Sequence, residues 1–279
     1  DSRCTPAYLK YADIYKSANA GLAIEKLNQL KTLEPSNTAI DKKLAEIYYL
    51  KNDFSKAADA YSRFAMGPAA TEEDLVKYAF ALFLNHDFEK SLEVANMGLQ
   101  KNPRHAAFNR LAMYNYTDLK RFDEAMKAAD IFFNETDKAD YSYLDYMYYG
   151  HLLEELKKYD EAVGQYEKAV ELDPTKTDLY KNISSAYEQK NDYKKAIGAY
   201  HKYYSSLEKE KQTPDLQFQL GRLYYGAGTQ PDSLTINAEE RKQALMSADS
   251  VFQVISEAAP DSYLGNFWRA RANSALDPE

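Results

Sequence analysis

Residues Tyr141 to Pro174 read YSYLDYMYYGHLLEELKKYDEAVGQYEKAVELDP, and the fold follows from this stretch. Two helix-period stripes meet at a short polar turn around Lys157 and Lys158. Tyr146, Tyr149, Gly150 and Leu153 make the first stripe; Tyr159, Ala162, Tyr166 and Ala169 make the second. Both keep the three- and four-residue steps of an amphipathic helix. Gly150 and Ala162 put no bulk between the helices, so the backbones can approach closely while the flanking tyrosines fill the space beside them. Pro174 lacks an amide donor and stops the second helix. One such hairpin cannot bury its apolar face alone and requires copies on either side.

The copies are present. At a shift of 34, Tyr180, Ile183, Ser184 and Tyr187 replace the first stripe, and Tyr193, Ala196, Tyr200 and Tyr203 replace the second. Going back from Ala162, the small residue near the start of the second helix recurs at Ala125, Ser91, Ala57 and Ala23, in steps of 37, 34, 34 and 34. Pro35, Pro103, Pro174 and Pro260 close units at one phase. No alternating pattern of useful length suggests a strand.

These positions, with Leu220-Gly221 and Tyr224, resemble the tetratricopeptide repeat family, whose unit is a 34-residue helix-turn-helix. The match is best from 143 to 208 and covers nearly the whole chain. It implies an all-α, right-handed α-solenoid of stacked helix-turn-helix repeats, one solenoid over 1–279. The expected units are 4–37, 38–71, 72–105, 106–142, 143–176, 177–213 and 214–262, followed by a partial or capping helix over 263–279. The 106–142 unit is the weakest inner one, because Met113 stands where a small residue belongs and would splay its helices. The 214–262 unit carries about fifteen additional residues, read as an inserted loop over 226–240 in which Gly226, Gly228 and Pro231 break helix. Asp53, Asp87 and Asp192 are placed to cap second helices.

In this family the first helix of each unit lines a concave groove. The corresponding phases here hold Phe80 and Phe83, Arg110 and Tyr114, Met147 and His151, Lys181, then Phe218, Arg222 and Tyr225. Aromatics and arginine dominate binding hot spots, and an extended peptide or a helix suits such a groove. One family variant grips a C-terminal carboxylate with lysine, asparagine and arginine. Those phases hold Lys42 and Glu46, Val76 and Lys77, Ala107 and Leu111, so the asparagines are missing and an acid intrudes.

A net charge of −8 disfavours a nucleic-acid partner, which selects a basic face. The single cysteine, Cys4, excludes an internal disulfide and a multi-thiol zinc site. No apolar run reaches the length of a membrane span. His151 and Glu154 lie one turn apart, but the four histidines are scattered and no metal set emerges. Gly226-Ala227-Gly228 lacks the strand and lysine of a phosphate loop. No catalytic residue, metal or cofactor is therefore expected.

The expected function is a non-catalytic scaffold that binds a peptide or protein segment in the groove. The alternatives are an assembly arm of a larger solenoid, or a homo-oligomer through the C-terminal helix; an enzyme using the 226–240 loop ranks last. The tyrosine-rich, arginine-poor composition resembles envelope-associated repeat proteins of bacteria. A periplasmic or envelope location with a leader removed is expected, with the cytoplasm as alternative.

Overall fold

A computed structural model of the chain describes residues 4–136, 140–231 and 237–277. Among the described residues there are fifteen α-helices, one short 3-10 turn and no strand. They group into two compact units, residues 1–140 and 141–279. The first holds α1 (Thr5–Tyr15), α2 (Ala20–Leu33), α3 (Thr38–Leu50), α4 (Phe54–Phe64), α5 (Glu72–Leu84), α6 (Phe88–Lys101), α7 (Ala106–Asp118) and α8 (Phe122–Asn134). The second holds α9 (Tyr143–Glu155), α10 (Tyr159–Leu172), α11 (Leu179–Gln189), α12 (Tyr193–Ser206), α13 (Pro214–Thr229), α14 (Ala238–Ala258) and α15 (Tyr263–Leu276). Within each unit a first helix packs on its own second helix, which packs on the next first helix.

The turn inside each pair is built one way. Asn52, His86, Lys120, Lys157 and Asn191 all have φ between 57° and 60°. They stand 34, 34, 37 and 34 residues apart, the period of the repeat itself. After each, a backbone amide reaches back to the fifth residue before it: Asp53 to the Tyr48 carbonyl, Asp87 to Leu82, Arg121 to Tyr116, Lys158 to Leu153, Asp192 to Tyr187. This is a helix stop of the Schellman kind, with a left-handed residue that satisfies the last carbonyls. Asp53 and Asp192 then cap the second helix, accepting from the amides of Lys56 and Lys195. Asp87 makes no cap bond; its carboxylate is taken by Lys90 at 3.0 Å.

The paired small residues are fully enclosed. Ala45 with Ala57, and Ala79 with Ser91, sit at zero exposure. A Cβ on Gly150 would stand 2.7 Å from the Tyr166 ring, so that aromatic lies directly on the glycine backbone. Where a serine takes the small position it donates across the pair: Ser91 Oγ to the Ala79 carbonyl at 2.9 Å, Ser184 Oγ to the Ala196 carbonyl at 2.8 Å. Met113 does not splay its pair. It is fully buried, and α7 and α8 join through the same closed turn.

Second helices followed by proline end two residues before it, at Leu33, Lys101, Leu172 and Ala258. The intervening residue leaves the helical region in all four, with φ from −131° to −138°. The proline ring disfavours helical backbone in the residue before it.

Among the described residues of 226–240, residues 226–229 and 238–240 are helical. Gly226 and Gly228 lie inside α13 and do not break it. A Cβ on Gly226 would meet the Tyr193 ring at 2.4 Å, and one on Gly228 would meet Leu245 at 2.4 Å. Both glycines therefore mark close approach to a neighbouring helix. Pro231 follows the end of α13; 232–236 lie outside the described residues. In α15, Gly265 packs on Ser256, while Asn266, Ala270, Asn273 and Ser274 face solvent.

A left-handed lysine costs about 1–2 kcal/mol, and glycine's extra freedom in the unfolded chain offsets about 0.5–1 of the relief. Lys157→Gly should therefore raise stability by about 0.5–1 kcal/mol, read as a higher urea midpoint with unchanged slope. A lower midpoint would show that Lys157 is not strained.

Candidate partner-binding faces

In the first unit an open cleft of about 450 Å³ lies between Lys16, Lys43, Glu46, Tyr49, Lys77 and the buried ring of Tyr61. Lys43 bonds Asp13 at 2.9 Å and Glu46 at 3.0 Å, and Lys77 pairs with Glu73 at 2.6 Å. The scaffold behind it is ionic as well as apolar. Lys42 reaches the buried Asp74 at 2.8 Å and lies over the Phe64 ring, tying α3 to α5. Asp74 also closes a capping box with Thr71 at the start of α5. Burial works against the charge on Asp74, but Lys42 and Thr71 outweigh it and hold the carboxyl below its usual value.

Phe80 and Phe83 are half-buried and pack on the core. Tyr114 does not line a groove. It is only 2% exposed, with its ring 5.5 Å from that of Phe83. Arg110 is half-buried; its guanidinium lies over Phe132 and donates to the Asp140 carbonyl at 2.6 Å. It braces the fold. Lys42, considered for a carboxylate clamp, is engaged by Asp74, and Leu111 is fully buried.

In the second unit His151, Lys181 and Arg222 are exposed and Met147 is half-buried. A cleft of about 400 Å³ is bordered by Lys181, Ser185, Glu188, Asp215 and Gln219. Arg222 approaches Glu188 at 3.8 Å. Phe218 and Tyr225 belong to an aromatic cluster around Trp268, at 5.8 and 5.2 Å, with Arg271 stacked on Trp268 at 4.9 Å. The sequence reading passed over Trp268 and Arg271, because only tertiary packing brings α15 onto α13.

It also passed over Tyr61. Tyr61, Tyr166 and Tyr200 share one repeat position on their second helices, and burial pushes all three phenols up. Tyr166 Oη donates to Glu154 at 2.7 Å and Tyr200 Oη to the Leu216 carbonyl at 2.9 Å. Among the described residues the Tyr61 hydroxyl has no hydrogen-bond partner. The repeat position of Glu154 is held there by Tyr49. Comparing the units in register could have exposed this mismatch.

Among the described residues no three His, Cys, Asp or Glu side chains converge as metal ligands. None of the described helices is long and apolar enough to cross a membrane.

The tetratricopeptide repeat family model matches residues 143–176. Residues 143–176 thus carry a tetratricopeptide repeat, within an all-α helical-repeat fold. It is similar to the C-terminal part of a TPR repeat-containing protein from Cytophaga hutchinsonii, with 28% identity, 73% of this chain and 72% of that one covered, and a TM-score of 0.55. A tetratricopeptide repeat protein from Parabacteroides merdae shares 17% identity over 96% of this chain and 98% of its own, with a TM-score of 0.60. MamA from Desulfovibrio magneticus RS-1 shares 16% identity over 63% of this chain and 97% of its own, with a TM-score of 0.53. The last two likenesses concern the fold alone. No curated protein matches the chain. Tetratricopeptide repeats typically serve as protein-interaction scaffolds.

Asp74 has a lowered folded pKa against an ordinary 3.8, so its stabilising contribution is complete above that value and is lost as pH falls through the folded one. Asp74→Asn should cost about 1–3 kcal/mol at pH 7. Urea midpoints of variant and parent should converge in acid; a constant gap down to pH 2 would refute this assignment.

Proposed function

We propose that the chain is a non-catalytic scaffold whose first-helix faces bind a segment of another protein. The observation that carries this is the second unit's cleft, bordered by exposed Lys181 with Glu188 and Gln219, with exposed Arg222 reaching towards both of the latter from α13. These side chains are spent on little within the fold: among the described residues Arg222 makes long contacts, at 3.4 Å to Gln219 and 3.8 Å to Glu188. Such a surface offers hydrogen bonds and charge to an extended segment without disturbing the core. The fold shared with other repeat proteins supports the reading.

A second reading has its own observation. Tyr263 is 75% exposed and Phe267 48% exposed on α15, an apolar strip that a second copy of the chain would cover. Light scattering of the purified chain separates the readings: a dimer that Tyr263→Ser with Phe267→Ser converts to a monomer favours self-association.

For the scaffold reading, a photo-crosslinking residue placed at Lys181 or Arg222 in cells should capture discrete partner bands. The same residue at Glu161 or Glu167, exposed on α10, should capture none. Equal capture from both sets would refute the first-helix face as the docking side.

A further inference from the structure

Gln230 closes α13 with a side chain that the fold does not use. Its backbone is accounted for: the amide donates to the Gly226 carbonyl at 3.1 Å, and the carbonyl receives Arg241 at 3.4 Å. The side chain is different. Gln230 is 8% exposed, and among the described residues neither its Nε2 nor its Oε1 has a hydrogen-bond partner. Glutamine usually stays at the surface. A buried carboxamide with donor and acceptor both unmet is unfavourable.

Gln230 borders an open cleft of about 330 Å³ with Asn191, Tyr193, Gly226, Thr229 and Pro231. Asn191 is the left-handed residue of the turn between α11 and α12, and Thr229 ends α13, so the cleft is built from a turn and a helix end. No charged side chain lines it. The charges that reach the Tyr193 phenol, Glu188 and Arg222, act on it in opposite directions. An ionic ligand would enter without a counter-charge, and an apolar one would leave the carboxamide unmet. The fitting group is neutral and offers a donor and an acceptor together. Geometry narrows it further. A primary carboxamide has an N–H and its C=O on one edge, so a second carboxamide meets Gln230 with two hydrogen bonds at once. A backbone peptide unit cannot, because the trans bond sets its N–H and C=O on opposite sides.

We propose that this cleft is a subsite for the side-chain carboxamide of an asparagine or glutamine in a bound protein segment, paired edge to edge with Gln230. The proposal rests on the scaffold reading for its partner and adds a contact outside the first-helix phases. In this structure the two amide atoms of Gln230 are closed to solvent. Rotation of the long side chain turns them into the cleft that it borders, and pairing there satisfies a donor and an acceptor that the fold leaves unmet.

The test uses the whole chain, isotopically labelled for NMR, and the peptide acetyl-glycyl-glutaminyl-glycine N-methylamide, whose sole primary carboxamide is the glutamine side chain. A comparison peptide carries methionine in its place. A contact of two hydrogen bonds binds weakly, so both peptides are titrated into the tens of millimolar. The side-chain amide resonances of Gln230, assigned by their loss in Gln230→Met, should shift with the glutamine peptide and stay in place with the methionine peptide. Gln230→Met should weaken binding about tenfold or more, read from the backbone amides of Gly226 and Thr229. Because the deleted amide is unpartnered, Gln230→Met should leave the thermal midpoint unchanged or higher.

No shift, equal shifts with both peptides, or undiminished binding in Gln230→Met would each overturn the subsite. A midpoint that falls in Gln230→Met would also overturn it, by revealing a partner for the amide within the chain. Partner capture at Lys181 together with no response to the glutamine peptide would sink the subsite and leave the scaffold reading standing.

Discussion

Two helices crossing at a pair of small residues is the contact on which four of the helix pairs depend, while Met113 shows that a fifth can close around a larger side chain. Ala45 and Ala57, Ala79 and Ser91, Gly150 and Ala162, and Ser184 and Ala196 are all twelve residues apart and all buried. Nothing larger than a hydroxyl intervenes, so backbones meet closely and dispersion contacts accumulate along both helices. The serines show how tight the approach is. Each side-chain oxygen spans the gap to a carbonyl of the facing helix, once from the second helix and once from the first. Aromatics such as Tyr166 then lie directly against the small residue and close the crossing.

A fixed crossing distance needs a fixed turn, and the left-handed residue supplies it. Its type varies among asparagine, histidine and lysine, yet its φ does not. The demand of the packed helices therefore outweighs local preference, which for lysine disfavours that region. Local strain and close packing are two sides of one geometry: the turn is held where its residue alone would not stay.

Much of this was legible in the chain. Periodic small and aromatic residues gave the pairs, and Pro35, Pro103, Pro174 and Pro260 gave the ends of second helices. What failed were inferences from single residues. Gly226 and Gly228 have the composition of a loop, but Tyr193 and Leu245 need the space above them, so they remain helical. Asp87 looks like Asp53 and Asp192 and pairs with its i+3 lysine as they do, but it accepts no amide of the second helix. Tyr114 stands at a groove phase, yet Phe83 covers it. Exposure depends on neighbours one repeat away, and a repeat phase alone does not carry that information. The candidate faces were thus legible as positions, while their chemistry was not. Tyr61, Tyr166 and Tyr200 are one position with three different hydrogen-bonding outcomes, decided by what stands opposite.

The lengthened pair in the second unit has a geometric corollary. Beyond Gly221, α13 runs eight residues, where α9 runs five beyond Gly150; ahead of Phe252, α14 begins fourteen residues earlier, where α10 begins seven before Tyr166. Those increments are close to one and two full turns of an α-helix. Leu245 consequently comes back to the same azimuth as Phe252 and closes on Gly228. Growth of such an array is thus quantised: an insertion keeps the apolar seam only if its helical part arrives in whole rotations, and the remainder must be left in the connecting bend.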